Sequence, residues 1–201
     1  MKSFKVDNIN HFVVDEYITR INIIDLINKQ ITPKEKRQIF ICPYNALSKK
    51  DNSIIKSESC INCQLCDIKF ACLTNKCENI DLSNLDNILS SLPHVSIFLK
   101  LLYPNAVTAT EVKISGNYRN KRIDVVLIQG NTIFIFKVLT EANKIDYYYR
   151  SYSKILDNLN NEISGYATKL FFLTTEDIAN SSIDIQNYQY ITLSEIIKEG
   201  I

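Results

Sequence analysis

Cysteine is the residue type best placed to do chemistry in this chain. Cys42-Pro43 is followed by Cys60-Ile61-Asn62-Cys63-Gln64-Leu65-Cys66, and Cys72 and Cys77 complete the set of six. Thiolate sulfur is a soft ligand that suits zinc and iron–sulfur clusters. In a reducing compartment, thiols crowded into so short a stretch read as ligands sooner than as disulfides. A second group of candidates follows further along: Glu111-Val112-Lys113, Asp124, Lys137 and Glu141. Carboxylates hold hard divalent ions such as Mg²⁺, and a neighbouring lysine can help activate water. Arg119, Lys121 and Arg122 form a compact basic cluster suited to a phosphate contact. Tyr147, Tyr148, Tyr149 and Tyr152, interleaved with Arg150 and Lys154, could stack bases as well as pack a core.

The elements that must position these residues fall into two stretches. Residues 13–28 space Val14, Tyr17, Ile18, Ile21, Leu26 and Ile27 as an amphipathic helix would. Thr32-Pro33-Lys34-Glu35 carries a capping hydroxyl, a first-turn proline and a closing glutamate, which predicts a helix running into Cys42. Ala46-Leu47 and Ile54-Ile55 flank Asp51-Asn52-Ser53 as two short strands. Beyond Cys77 cysteine disappears. A helical segment with Leu85, Ile88, Leu89 and Leu92 meets Pro93, and a second helix runs from His94 to Tyr103. Three strands follow at Thr108–Ser115, Arg122–Gln129 and Thr132–Leu139, punctuated by Gly116-Asn117 and Gly130-Asn131. A long helix with Ile145, Tyr148, Tyr152, Ile155, Leu156, Leu159 and Ile163 on one side leads to a strand at Lys169–Leu173. Tyr190-Ile191-Thr192 and a capped helix from Ser194 close the chain. The fold class is therefore α+β, with one unit over 1–80 and an α/β unit over 81–201.

The first unit resembles a bacterial dicluster-type ferredoxin that keeps a single 4Fe–4S cluster, over about residues 32–72. In that family the pattern is Cys-x2-Cys-x2-Cys-x3-Cys-Pro, and the halves exchange their fourth ligand. Counting back from Cys42 places the three missing positions at Thr32, Glu35 and Gln38; counting forward from Cys66 places the missing fourth at Phe70. All four lost positions belong to one site. Cys42, Cys60, Cys63 and Cys66 all belong to the other, and the resemblance makes them the cluster ligands. Asn62, Gln64 and Leu65 stand where small residues or glycine are usual, and Cys72 and Cys77 have no place in the pattern. Cys60 and Cys63 with Cys72 and Cys77 remain open as a four-thiolate zinc site. The spacing of Cys63, Cys66 and Cys72 also occurs in iron–sulfur nucleases.

The order helix–strand–strand–strand–helix–strand in the second unit is similar to the restriction-endonuclease-like, or PD-(D/E)xK, nuclease fold. Arg122-Ile123-Asp124-Val125-Val126-Leu127, Gly130-Asn131 and Ile133-Phe134-Ile135-Phe136 match its second and third strands. The resemblance makes Asp124 a metal carboxylate. The position of the partner glutamate is Lys137, however, and that of the family lysine is Leu139, so Mg²⁺ is expected only if the site is active. Glu111 with Lys113, or Glu141, would have to supply what is missing. The candidate catalytic set is Glu111, Asp124 and Lys137, and Arg119, Lys121 and Arg122 are the candidate nucleic-acid contacts.

A formal net charge of +1 excludes a global pull toward nucleic acid or membrane, so an anionic partner needs a local patch. The polar start Met1-Lys2-Ser3-Phe4-Lys5 and the shortness of every apolar run predict a cytoplasmic protein with no membrane partner. The expected function is an iron–sulfur, nuclease-like protein of degenerate active site. It would act as a DNA-binding or assembly subunit beside a partner protein in nucleic-acid processing or defence. An electron-transfer subunit and a zinc-binding assembly module are the alternatives.

Overall fold

The computed structural model describes residues 3–5, 13–40, 42, 46–50, 53–66, 84–114, 121–175 and 189–201. Its strands are β1 (Ser3–Lys5), β2 (Val13–Thr19), β3 (Lys36–Phe40), β4 (Leu47–Lys50), β5 (Ser53–Lys56), β6 (Val107–Lys113), β7 (Arg122–Gln129), β8 (Thr132–Leu139), β9 (Ala167–Thr174) and β10 (Tyr190–Thr192). The helices are α1 (Ile23–Ile27), α2 (Leu92–Leu102), α3 (Ile145–Glu162) and α4 (Leu193–Glu199), with a 3₁₀ segment at Leu85–Ser90. β1, β5 and β4 form a small antiparallel sheet; the other seven strands form a mixed sheet in the order β10-β9-β8-β7-β6-β2-β3. Among the described residues no helix is long and apolar enough to cross a membrane.

The expected succession from α2 to β9 is observed, and β7 and β8 have the predicted bounds. Gly130 takes the positive φ (56°) that a two-residue hairpin needs at its first turn position. Pro93 lies in the first turn of α2, where its missing N–H costs nothing, and Ser91 caps that helix by accepting from the His94 amide. Leu92 therefore opens α2 instead of closing the segment before it. The last helix is capped by Thr192, whose hydroxyl accepts from the Glu195 amide while the Glu195 carboxylate accepts from the Thr192 amide. The predicted pair of short strands is the β4–β5 hairpin; Asp51, Asn52, Gly116 and Asn117 lie outside the described residues.

Two expectations are corrected. Residues 13–28 are not one helix: Val13–Thr19 is a strand, and only Ile23–Ile27 is helical. β2 lies parallel to β6, pairing Ile18 with Ala109 and Thr19 with Thr110, so its β-branched residues complete a sheet that local periodicity does not reveal. The Thr32–Glu35 capping chemistry does form, since the Glu35 carboxylate accepts from the Thr32 amide (2.8 Å) and hydroxyl (2.9 Å). It closes a single turn. Lys36–Phe40 then becomes an edge strand antiparallel to β2, because sheet pairing offers those backbone groups partners that an isolated short helix lacks.

Apolar side chains alternate through the sheet into two layers. Val125, Leu127, Phe134, Phe136 and Leu173 meet α2, the 3₁₀ segment and α4 on one side. Ala109, Val126, Ile133, Ile135 and Phe172 meet α1 and α3 on the other. Cys63, Leu65 and Cys66 are buried in the first layer with Leu85, Leu89 and Val95, so the cysteine loop is part of the main core.

Candidate functional site

Cys60 to Cys66 follow β5 as an extended loop ending in a brief helical turn. Asn62 and Gln64, the residues between the thiols that stand in place of glycine, both have left-handed backbone (φ 54° and 65°). Asparagine tolerates that region; for glutamine it is strained, at a cost of about 1–3 kcal/mol. Strain of this kind persists where surrounding structure enforces it. Here Asn87 Nδ2 donates to the Ile61 carbonyl (2.9 Å), and Leu65 is sealed in the core. Backbone amides reach two of the sulfurs: the Asn62 amide donates to Cys60 Sγ (3.4 Å) and the Ala46 amide to Cys42 Sγ (3.3 Å). Burial pushes the Cys63 thiol upward; the Leu65 amide pulls it down, and nearby Cys42 and Cys60 push it up again. Cys42, Cys60, Cys63 and Cys66 are thiols and not disulfide halves.

The donor chemistry fits an iron–sulfur cluster, whose ligands are thiolates and whose sulfurs accept backbone amides. Among the described residues, no three His, Cys, Asp or Glu side chains converge as a single bound ion would require. Thr32 and Glu35 lie at the turn before β3, and Gln38 lies in β3, the edge strand of the seven-strand sheet. Phe70, Cys72 and Cys77 lie outside the described residues.

The second group of candidates is brought into one row. The two-residue turn at Gly130-Asn131 sets the β7–β8 register, with Val125 opposite Phe136, which places Asp124 beside Lys137. Lys137 Nζ lies 2.7 Å from Asp124 Oδ2, and both side chains are mostly buried. The same carboxylate oxygen accepts the Val138 amide (3.1 Å), and Tyr152 Oη is 3.5 Å from the other. Lys137 Nζ also sits 4.3 Å from the centre of the Tyr148 ring. Burial drives the Tyr152 hydroxyl well above its ordinary pKa, and the Asp124 charge adds to the effect, so it stays protonated as a donor. The residue that stands where a second metal carboxylate is expected thus occupies Asp124 itself.

Glu111 continues the row on β6. The flanking pairs Thr110–Val125 and Val112–Ile123 set it opposite Asp124. Ala109 and Val112 on β6 face the α1/α3 layer, as do Ile123 and Val126 on β7. Both strands therefore advance three residues from one inward position to the next where two are usual, and because they slip together the pairing resumes in register. Left-handed backbone at Glu111 (φ 51°) and at Arg20 (φ 61°), the residue that follows β2, marks this irregularity. Glu111 receives Arg20 Nε at 3.0 Å and Arg122 Nη1 at 2.6 Å. Burial raises its pKa, but the hydrogen bonds and charges of the two arginines outweigh that and hold it below the ordinary value.

Glu141 is outside this arrangement, paired with Lys144 at 2.7 Å, and Leu139 is buried. Lys121 Nζ donates to Ser151 Oγ on α3 (2.9 Å), while Arg119 lies outside the described residues. The tyrosines divide as helical geometry requires: Tyr152 is in the core, Tyr148 is half-buried under Lys137, and Tyr147 is 71% exposed. Arg20 and the Tyr148–Tyr152 support of the ion pair are absent from the sequence-level candidates. The i, i+4 spacing of the tyrosines signals a shared face, but nothing local links Arg20 to Glu111. No family model, no curated protein and no solved structure matches the chain.

Proposed function

We propose that this chain is an iron–sulfur protein whose nuclease-like sheet binds nucleic acid without cutting it, serving as a DNA-binding or assembly subunit in nucleic-acid processing. The carrying observation is the 2.7 Å Asp124–Lys137 pair. A two-metal or one-metal nuclease needs carboxylates open to Mg²⁺. Here one carboxylate is held by lysine and the other by two arginines, three cations to two carboxylates. Such a row repels a divalent cation and attracts a phosphodiester. Arg20 and Arg122, each about half exposed at the side chain, are its solvent-facing groups.

Cys42, Cys60, Cys63 and Cys66 would hold the 4Fe–4S cluster. When bound, the cluster supplies four thiolate crosslinks and a one-electron couple. The burial of Cys63, Leu65 and Cys66 in the core shared by α2 and α4 supports a holding or sensing role over shuttling. Fluorescence anisotropy with a labelled duplex tests the reading. Affinity should fall with salt, and neutralising Arg119, Lys121 and Arg122 together should reduce the log–log salt slope by about 2–3. No strand scission should accompany Mg²⁺ addition. Cleavage by the wild-type chain, or binding indifferent to salt and to the triple substitution, would refute the proposal.

A further inference from the structure

Beside the charged row, the outer face of α3 and Lys121 enclose an open cleft of about 460 Å³. Tyr147, Arg150, Ser151 and Lys154 line it at i, i+3, i+4 and i+7, a single helical stripe about 10 Å long. Lys121 closes the cleft from the start of β7, anchored to Ser151 Oγ. Three cations thus converge on one concavity. Arg150 and Lys154 make no ion pair with a carboxylate among the described residues. Asp146, in the first turn of α3, contributes an acceptor at the opposite end.

Tyr147 is the most exposed large hydrophobic side chain among the described residues, at 71%. Tyr148 supports it edge-on, with ring centroids 5.4 Å apart at 68°, and Tyr148 in turn carries Lys137. The cleft is therefore joined by contact to the Asp124–Lys137 pair. An aromatic ring propped from the side beside three cations suits a polymer that offers an unpaired base and phosphates together. A duplex presents phosphates to such a cleft but keeps its base faces stacked.

We infer that this cleft binds single-stranded nucleic acid, with phosphates on Lys121, Arg150 and Lys154, a base stacked on Tyr147, and Asp146 accepting from a base amino group or a ribose hydroxyl. The inference rests on the proposed nucleic-acid binding and deepens it from duplex phosphate contact to strand-end or single-strand capture.

Anisotropy titrations of the full chain against one labelled sequence, as single-stranded DNA, single-stranded RNA and duplex DNA, decide it. Tyr147→Ala should weaken single-strand binding by about 5- to 150-fold and leave duplex binding unchanged. Arg150→Ala with Lys154→Ala should lower the single-strand salt slope by about 1.4. Whichever of the DNA and RNA single strands binds more tightly identifies the source. Equal single-strand affinity of Tyr147→Ala and wild type, with duplex binding intact, overturns this site while leaving the proposed function standing. Failure of the wild type to bind any of the three overturns both.

Discussion

Replacing Lys137 by methionine keeps an apolar four-atom stem and removes the ammonium group that donates to Asp124. Asp124 would then be a mostly buried carboxylate with the Val138 amide as its main remaining donor. Breaking a fully buried ion pair from one side costs about 3–5 kcal/mol. The pair retains some water access, with side-chain exposures of 14% and 19%, which reduces the expected loss to about 2–3 kcal/mol. Loss of the ammonium from the Tyr148 ring is included in that figure. For a chain of 201 residues this corresponds to a fall in Tm of about 5–10 °C. Urea unfolding of Lys137→Met, Asp124→Leu and the double variant closes a thermodynamic cycle. The double variant should lie within about 1 kcal/mol of wild type, because neither charge is then left alone, so the coupling should be at least about 1–2 kcal/mol. Arg20→Ala is a useful contrast: its pair with Glu111 is exposed, and its loss should cost under about 1 kcal/mol. A Lys137→Met penalty no larger than that of Arg20→Ala, or simple additivity in the cycle, would refute the description of Asp124 as a carboxylate committed to lysine.

Two further outcomes follow from the thiol loop and from α2. Anaerobically purified protein should contain about four iron and four sulfide per chain, a content that Cys63→Ala lowers; stoichiometric zinc without sulfide would remove the cluster. His94 is fully buried, its Nδ1 2.6 Å from Ser91 Oγ, and burial lowers its pKa from 6.5 to about 4. Since the folded value lies below the unfolded one, the stabilisation is complete above pH 6.5. It is lost as pH falls toward 4, by about 3 kcal/mol in all, because the unfolded chain takes up a proton that the folded chain refuses. Urea midpoints measured across that window should fall less steeply for His94→Gln than for wild type, and parallel pH profiles would refute the assignment.

Much of this molecule is written in local pattern. Period-two runs bounded by Gly130-Asn131 produce β7 and β8, and apolar residues three and four apart produce α3. Even the Asp124–Lys137 contact is local information: a two-residue turn pairs Gln129 with Thr132, and counting outward sets residues 124 and 137 side by side. Val13–Thr19 shows where local pattern fails. Its Val14, Tyr17 and Ile18 satisfy a helical period over a short run, and the choice falls to the open edge of β6, which supplies backbone partners. The same non-local pairing stops the Thr32–Glu35 turn from propagating.

What tertiary structure alone decided is the environment of the candidate side chains. Arg20 reaches Glu111 because β2 joins the sheet beside β6, a pairing across ninety-one residues with no trace in either segment. Cys63 and Cys66 lie in the core with α2 and α4 because the loop carrying them packs on the sheet's helical layer. By itself the sequence determined which groups exist, their spacing, and the one contact that a tight turn enforces. Burial and long-range partners depend on how distant segments share a sheet, and those conditions make Asp124 and Lys137 a mostly buried ion pair.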